Sequence, residues 1–112
     1  MTVEEANVTF SSYSPGEKAE FLAGLMYEIT IVARDSYEVG GDGLINAERM
    51  RRLNEVQHCL SAFLWALLRN DARRYPDDIL LEIVLGPSDD AALDRQLSAA
   101  FGRMAAQRLT AA

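Results

Sequence analysis

Met50-Arg-Arg-Leu53-Asn-Glu55-Val56-Gln-His58-Cys59-Leu60-Ser-Ala-Phe63-Leu64-Trp65-Ala-Leu67-Leu68 is the stretch whose reading decides the fold. Met50, Leu53, Val56, Leu60, Leu64 and Leu67 recur at spacings of three and four, which is the period of one helix face and the seam of an antiparallel helix pair. The helix is predicted to start at Asn46 as its cap and to run to about Asn70. From Cys59 to Leu68 nearly every residue is apolar, with Ser61 the only hydroxyl, so this part needs cover on several sides.

Upstream, Ser14-Pro15-Gly-Glu17 carries the start signals of a first long helix: a capping serine, proline at the first helical position and the Ser-x-x-Glu box. Leu22, Leu25, Met26, Ile29, Val32 and Ala33 then line one face. Phe21, Tyr27 and Ile31 fall outside it, which makes this helix apolar on more than one side. Gly40, Gly41 and Gly43 end the run. Downstream, Asp71 to Pro76 reads as a turn, because proline disfavours helix at Tyr75. A short helix follows from Pro76 to about Leu85 with Asp77 and Asp78 in its first turn, and Gly86-Pro87 closes it. Ser88 is predicted to cap a last helix with Leu93, Leu97, Ala100, Phe101, Met104 and Leu109 inward. Residues 1–13 hold Val3, Val8, Phe10 and Tyr13 without helical period and read as an extended arm. The expectation is an all-α chain: an arm at 1–13, then one helical domain at 14–112 built as a long antiparallel hairpin followed by a short and a medium helix, a small helical bundle.

The 112 residues are 49% apolar and 25% charged, an ordinary globular composition of single-domain size. A chain this short buries somewhat under ~70% of its unfolded surface, so burial shared between two copies is a reason to expect a homo-oligomer, a dimer first. The net charge of −6 weighs against nucleic acid and anionic membranes as partners. That charge is uneven. Residues 1–47 hold Lys18 and Arg34 against eight acids, whereas residues 48–74 hold six arginines against Glu48, Glu55 and Asp71. An acidic helix followed by a basic one suits antiparallel packing, within the chain or between copies. Cys59 is the single cysteine, in apolar surroundings that suggest a packed thiol. With no basic-then-apolar leader at its start and no apolar run long enough for a bilayer, the chain reads as cytoplasmic, with no membrane partner.

Three constellations bear on chemistry. Glu38 to Asn46 resembles a calcium loop with Gly43 at its sixth position, but the twelfth is Arg49 where a bidentate glutamate is needed, so it reads as a glycine-rich turn. Glu55-x-x-His58 places a carboxylate and an imidazole on one helix face, and Glu28 in the first helix could add a second carboxylate. This resembles ferritin-like proteins, in particular the small encapsulated ferritins with two long helices per chain. The resemblance implies iron held between subunits by Glu28, Glu55 and His58, and a ferroxidase-like, metal-dependent oxidase; Arg51 and Arg52 within a turn of Glu55 depart from such a site. Arginines cluster at both ends of the second helix, and Arg51, Arg52, Arg73 and Arg74 are candidates for a nucleic-acid-binding regulator. No nucleophile–base pair and no phosphate-cradling loop is present in the sequence.

The leading expectation is a non-enzymatic helical interaction module, a bacterial-style adaptor or regulator with an unidentified protein partner and no cofactor. Its contact residues are expected to be Phe63, Trp65 and Leu68, with Tyr27 and Ile31 facing them, since large aromatics anchor interfaces.

Overall fold

The computed structural model describes residues 2–38, 47–71 and 76–111, with side chains over 2–35, 47–71 and 76–108. It is all-α: α1 (Val3–Ser11), α2 (Pro15–Glu38), α3 (Ala47–Leu68), α4 (Asp77–Leu85) and α5 (Ala91–Ala111), with no strand among the described residues. The glycine-rich segment, the Asn46 cap, most of the 71–76 turn and the Leu109 side chain lie outside the described residues.

The start of α2 forms as its sequence dictates. Ser14 Oγ accepts from the Glu17 amide at 3.2 Å, and the Glu17 carboxylate accepts from the Ser14 amide at 3.0 Å, a reciprocal box. The end of α3 is equally defined. Asn70 adopts φ 57°, the Asp71 amide donates to the Ala66 carbonyl at 2.8 Å and the Asn70 amide to Leu67 at 3.2 Å. This is a Schellman ending, with asparagine in the left-handed place that glycine usually takes. Helix α5 departs from expectation at its start. Its cap is Asp90, whose carboxylate accepts from the Leu93 amide at 3.1 Å, while the Ser88 hydroxyl accepts from the Asp90 amide at 3.2 Å and so holds the cap in place.

The extended arm expected at 1–13 is a helix. Thr2 caps it, its hydroxyl accepting from the Glu5 amide at 3.1 Å and donating to the Glu5 carboxylate at 3.1 Å. The inward residues are Val3, Ala6, Phe10 and Tyr13, at steps of three, four and three; Val8, which breaks the apparent period, stands in solvent. Small Ala6 carries the stripe where a search for large apolar residues finds none.

Packing arranges the helices around one core. Helix α2 lies against α3 and α5, α4 lies against α3 and α5, and α1 lies along α4. The Gln57 amide donates to the Met26 carbonyl at 2.9 Å, which pins the α2–α3 register. Helices α2 and α5 come closest at Gly24, where an added Cβ would stand 2.3 Å from Met104 Cε. Gly86 is required at the end of α4, because a Cβ there would fall 2.2 Å from the Glu82 carbonyl oxygen. At one end of the core four phenylalanines from four helices converge. Ring centroids are 5.7 Å apart for Phe10 and Phe21, 6.0 Å for Phe10 and Phe63, and 4.8 Å for Phe21 and Phe101.

Phe10 has no exposed surface, so its truncation tests whether α1 belongs to the core. Phe10→Ala is expected to lower the unfolding free energy by about 3–5 kcal/mol. Val8→Ala, at an exposed position, is expected to leave it within about 0.5 kcal/mol. Urea titration followed by circular dichroism measures both, and equal midpoints for the two variants would show α1 loosely attached.

Candidate interaction surface

Helix α3 turns Leu53, Val56, Leu60, Phe63 and Leu67 into the core. A helix advances about 100° per residue, so Trp65, two places beyond Phe63, is carried to the far side. Trp65 is 57% exposed and Leu68 62% exposed. The Arg69 guanidinium sits 5.4 Å from the Trp65 ring centroid, a cation–π contact at the rim of the patch. Further back on the same side lie Arg51, Asn54, Glu55 and His58, all exposed.

Two shallow grooves flank this face and meet at His58. One, between α2 and α3, is lined by Tyr27, Thr30, Asn54, Gln57 and Ser61 as well as His58. The other, between α3 and α4, runs past Met50, Glu55, Cys59 and Ile83. Tyr27 is 68% exposed, and Ile79 and Ile83 on the outer side of α4 are also open to solvent. Burial pushes the Cys59 thiol pKa up, which keeps it protonated and a poor nucleophile near neutral pH.

The five expected contact residues therefore separate. Phe63 is core, packed on Phe10, and unavailable as an anchor. Ile31 is half-buried. Tyr27 lies level with Gln57 and His58, about two turns of α3 away from Trp65 and Leu68, and does not face them. Trp65, Leu68 and Tyr27 remain as large exposed apolar groups of the α2–α3 hairpin, and Ile79 and Ile83, which the sequence reading passed over, are exposed on α4, Ile83 at the groove shared with His58. Their step of four around buried Leu80, Leu81 and Val84 was the available signal.

Within one chain, the iron ligands expected from the ferritin-like resemblance do not share a site. Glu28 faces α5, where Arg103 Nη2 binds it at 3.1 Å, while Glu55 and His58 stand on the outer side of α3. Among the described residues no group of three or more histidine, cysteine, aspartate or glutamate side chains is placed to hold a metal ion. The arginines expected for nucleic acid are not gathered into a free patch either. Arg51 pairs with Glu48 at 2.7 Å, and Arg52 pairs with Asp94 at 2.7 Å while donating to the Gly86 carbonyl. Arg73 and Arg74 lie outside the described residues. The acidic charge of α2 is met by α5, through Glu28–Arg103 and through Arg108 on Glu17 and Glu20. The basic start of α3 is met by carboxylates at the start of α5: Arg49 holds Asp90 with two bonds of 2.7 and 2.8 Å. The described ion pairs of both charged helices thus run to α5 and its cap, where the sequence pattern suggested an acidic helix packed against a basic one, within the chain or between copies.

Family models, curated proteins and solved structures were compared with the chain, and none matches. No helix among the described residues is long and apolar enough to cross a membrane.

The arginine–aspartate clasp makes stability depend on pH. The hydrogen bonds from Arg49 hold the Asp90 carboxyl below its ordinary range. At Asp94 desolvation pulls upward, but the Ser88 amide, the Ser88 hydroxyl and Arg52 together outweigh it and the net shift is downward. A carboxylate depressed in the folded state stabilises fully above its unfolded pKa, about 4, and that stability is lost as pH falls through the lower folded value. The melting temperature is expected to hold steady above about pH 5 and to drop toward pH 2. Asp90→Asn should melt lower at pH 7 and show a shallower drop; parallel melting curves for the two proteins would remove the clasp as the cause.

Proposed function

We propose that this chain is a non-enzymatic helical protein–protein interaction module that acts as a homo-oligomer through the outward face of α3. The observation that carries the reading is the exposure of Trp65 and Leu68 at the C-terminal end of α3, although the core closes without them. Single exposed apolar residues are common on monomers, but a contiguous group of large ones marks a contact surface. Here Trp65 and Leu68 lie together at the end of α3, and Tyr27 and Ile83 border the two grooves that meet two turns back at His58. Tryptophan, in turn, is among the residues that anchor interfaces most strongly. A cytoplasmic setting fits a chain whose single cysteine is a half-buried free thiol.

Trp65 is the only tryptophan, so its emission reports the patch directly. Sedimentation across about 1–100 µM is expected to show the mass rising from monomer to dimer, with Trp65 emission shifting to shorter wavelength in step. Trp65→Ser combined with Leu68→Ser is expected to stay monomeric with an unchanged circular dichroism spectrum. A wild-type chain that remains monomeric throughout, with constant emission, overturns the proposal.

A further inference from the structure

Arg51, Glu55, His58, Ala62, Trp65 and Arg69 follow one another along α3 at steps of four, three, four, three and four residues. This is the 3.5-residue period of a stripe that meets another helix along its length. Five of the six are exposed and Ala62, a small residue near the middle, is half-buried. The stripe lies opposite the core-facing residues, so it is a second seam that no other helix among the described residues occupies.

We propose that its occupant is a second copy of the chain, with the two α3 helices antiparallel across a two-fold axis near His58. The inference rests on the reading of this face as an interaction surface and adds the partner's arrangement. Charge selects it. With His58 at the axis, Glu48 of each copy meets Arg69 of the other, and Arg51 of each meets the Trp65 ring of the other, every contact occurring twice by symmetry. A parallel pair would set Glu48 against Glu48, Arg51 against Arg51 and Arg69 against Arg69. An antiparallel pair slid until His58 meets Ala62 would set Arg51 against Arg69. Both arrangements oppose like charges where the chosen one opposes unlike charges or stacks a cation on a ring. The seam charges Glu48, Arg51, Glu55 and Arg69 cancel, although the chain carries −6, so two acidic copies can meet here without the repulsion felt elsewhere. Trp65 and Leu68, more than half exposed, supply the apolar part of the contact, and the charged residues of the stripe form its rim.

Crosslinking reads the arrangement. In a Cys59→Ser background, single variants Glu48→Cys, His58→Cys and Arg69→Cys are treated with a short bismaleimide. His58→Cys is expected to crosslink to itself. Glu48→Cys and Arg69→Cys are expected to give covalent dimer only when mixed, with a yield at least about tenfold above either alone. Self-crosslinking at 48 and at 69 without gain on mixing would establish parallel helices and overturn the proposal. A sedimenting dimer with no crosslink at any of the three positions would overturn it too and assign the contact to another face. The parallel result leaves the outward face of α3 standing as the interaction surface, the contact on another face removes that face while leaving self-association, and a wild-type monomer in the sedimentation experiment overturns both readings together.

Discussion

The rotation of α3 about its own axis is fixed by Phe63, and most of the molecule follows from that. Phe63 enters a cluster in which Phe10 joins it to Phe21 and Phe21 joins Phe101, so one joint ties α1, α2, α3 and α5. Edge-on and tilted ring contacts of this kind add about 0.5–1.5 kcal/mol each beyond the burial of the rings themselves. Turning α3 to bring Trp65 inward would withdraw Phe63 and break the joint. The chain therefore presents its tryptophan to solvent as a geometric result of keeping a phenylalanine inside. Core and surface are coupled by two residues of spacing.

Electrostatics then sets how the bundle closes. Helix α5 carries partners for both halves of the hairpin: its start, with Asp90 and Asp94, takes Arg49 and Arg52 of α3, and its later turns, with Arg103 and Arg108, take the acids of α2. Asp90 serves two purposes, as helix cap and as acceptor for Arg49, which places a carboxylate where the helix dipole also favours it. Half-buried bidentate pairs of this type position elements better than scattered surface pairs do. The same pairing occupies Arg49 and Arg52, the arginines at the start of α3 that are not fully exposed.

Local signals were readable in the sequence and distant ones were not. Ser14 and Glu17 are three residues apart, and their box forms as read. The inward stripes of α2, α3 and α5 followed from spacing, because a period of three to four survives any rotation of the helix. The direction in which a helix with two apolar sides turns is another matter. Phe63 and Trp65 look alike as anchors until Phe10 is seen to reach one of them. Helix α1 was hidden because its stripe passes through Ala6 and because exposed Val8 interrupts it. Arg49 and Arg52 find carboxylates about forty residues away, and Glu28 is taken by Arg103 seventy-five residues on, distances over which no spacing rule operates. The candidate surface was legible as an excess of apolar residues from Cys59 to Leu68; its true members were decided by tertiary contacts.

The approach of α2 to α5 at Gly24 has a consequence for substitution. The end of the Met104 side chain fills the space that any larger residue at position 24 would need. The two sites share one volume, so a side chain added at position 24 is accommodated by turning the flexible end of Met104 aside.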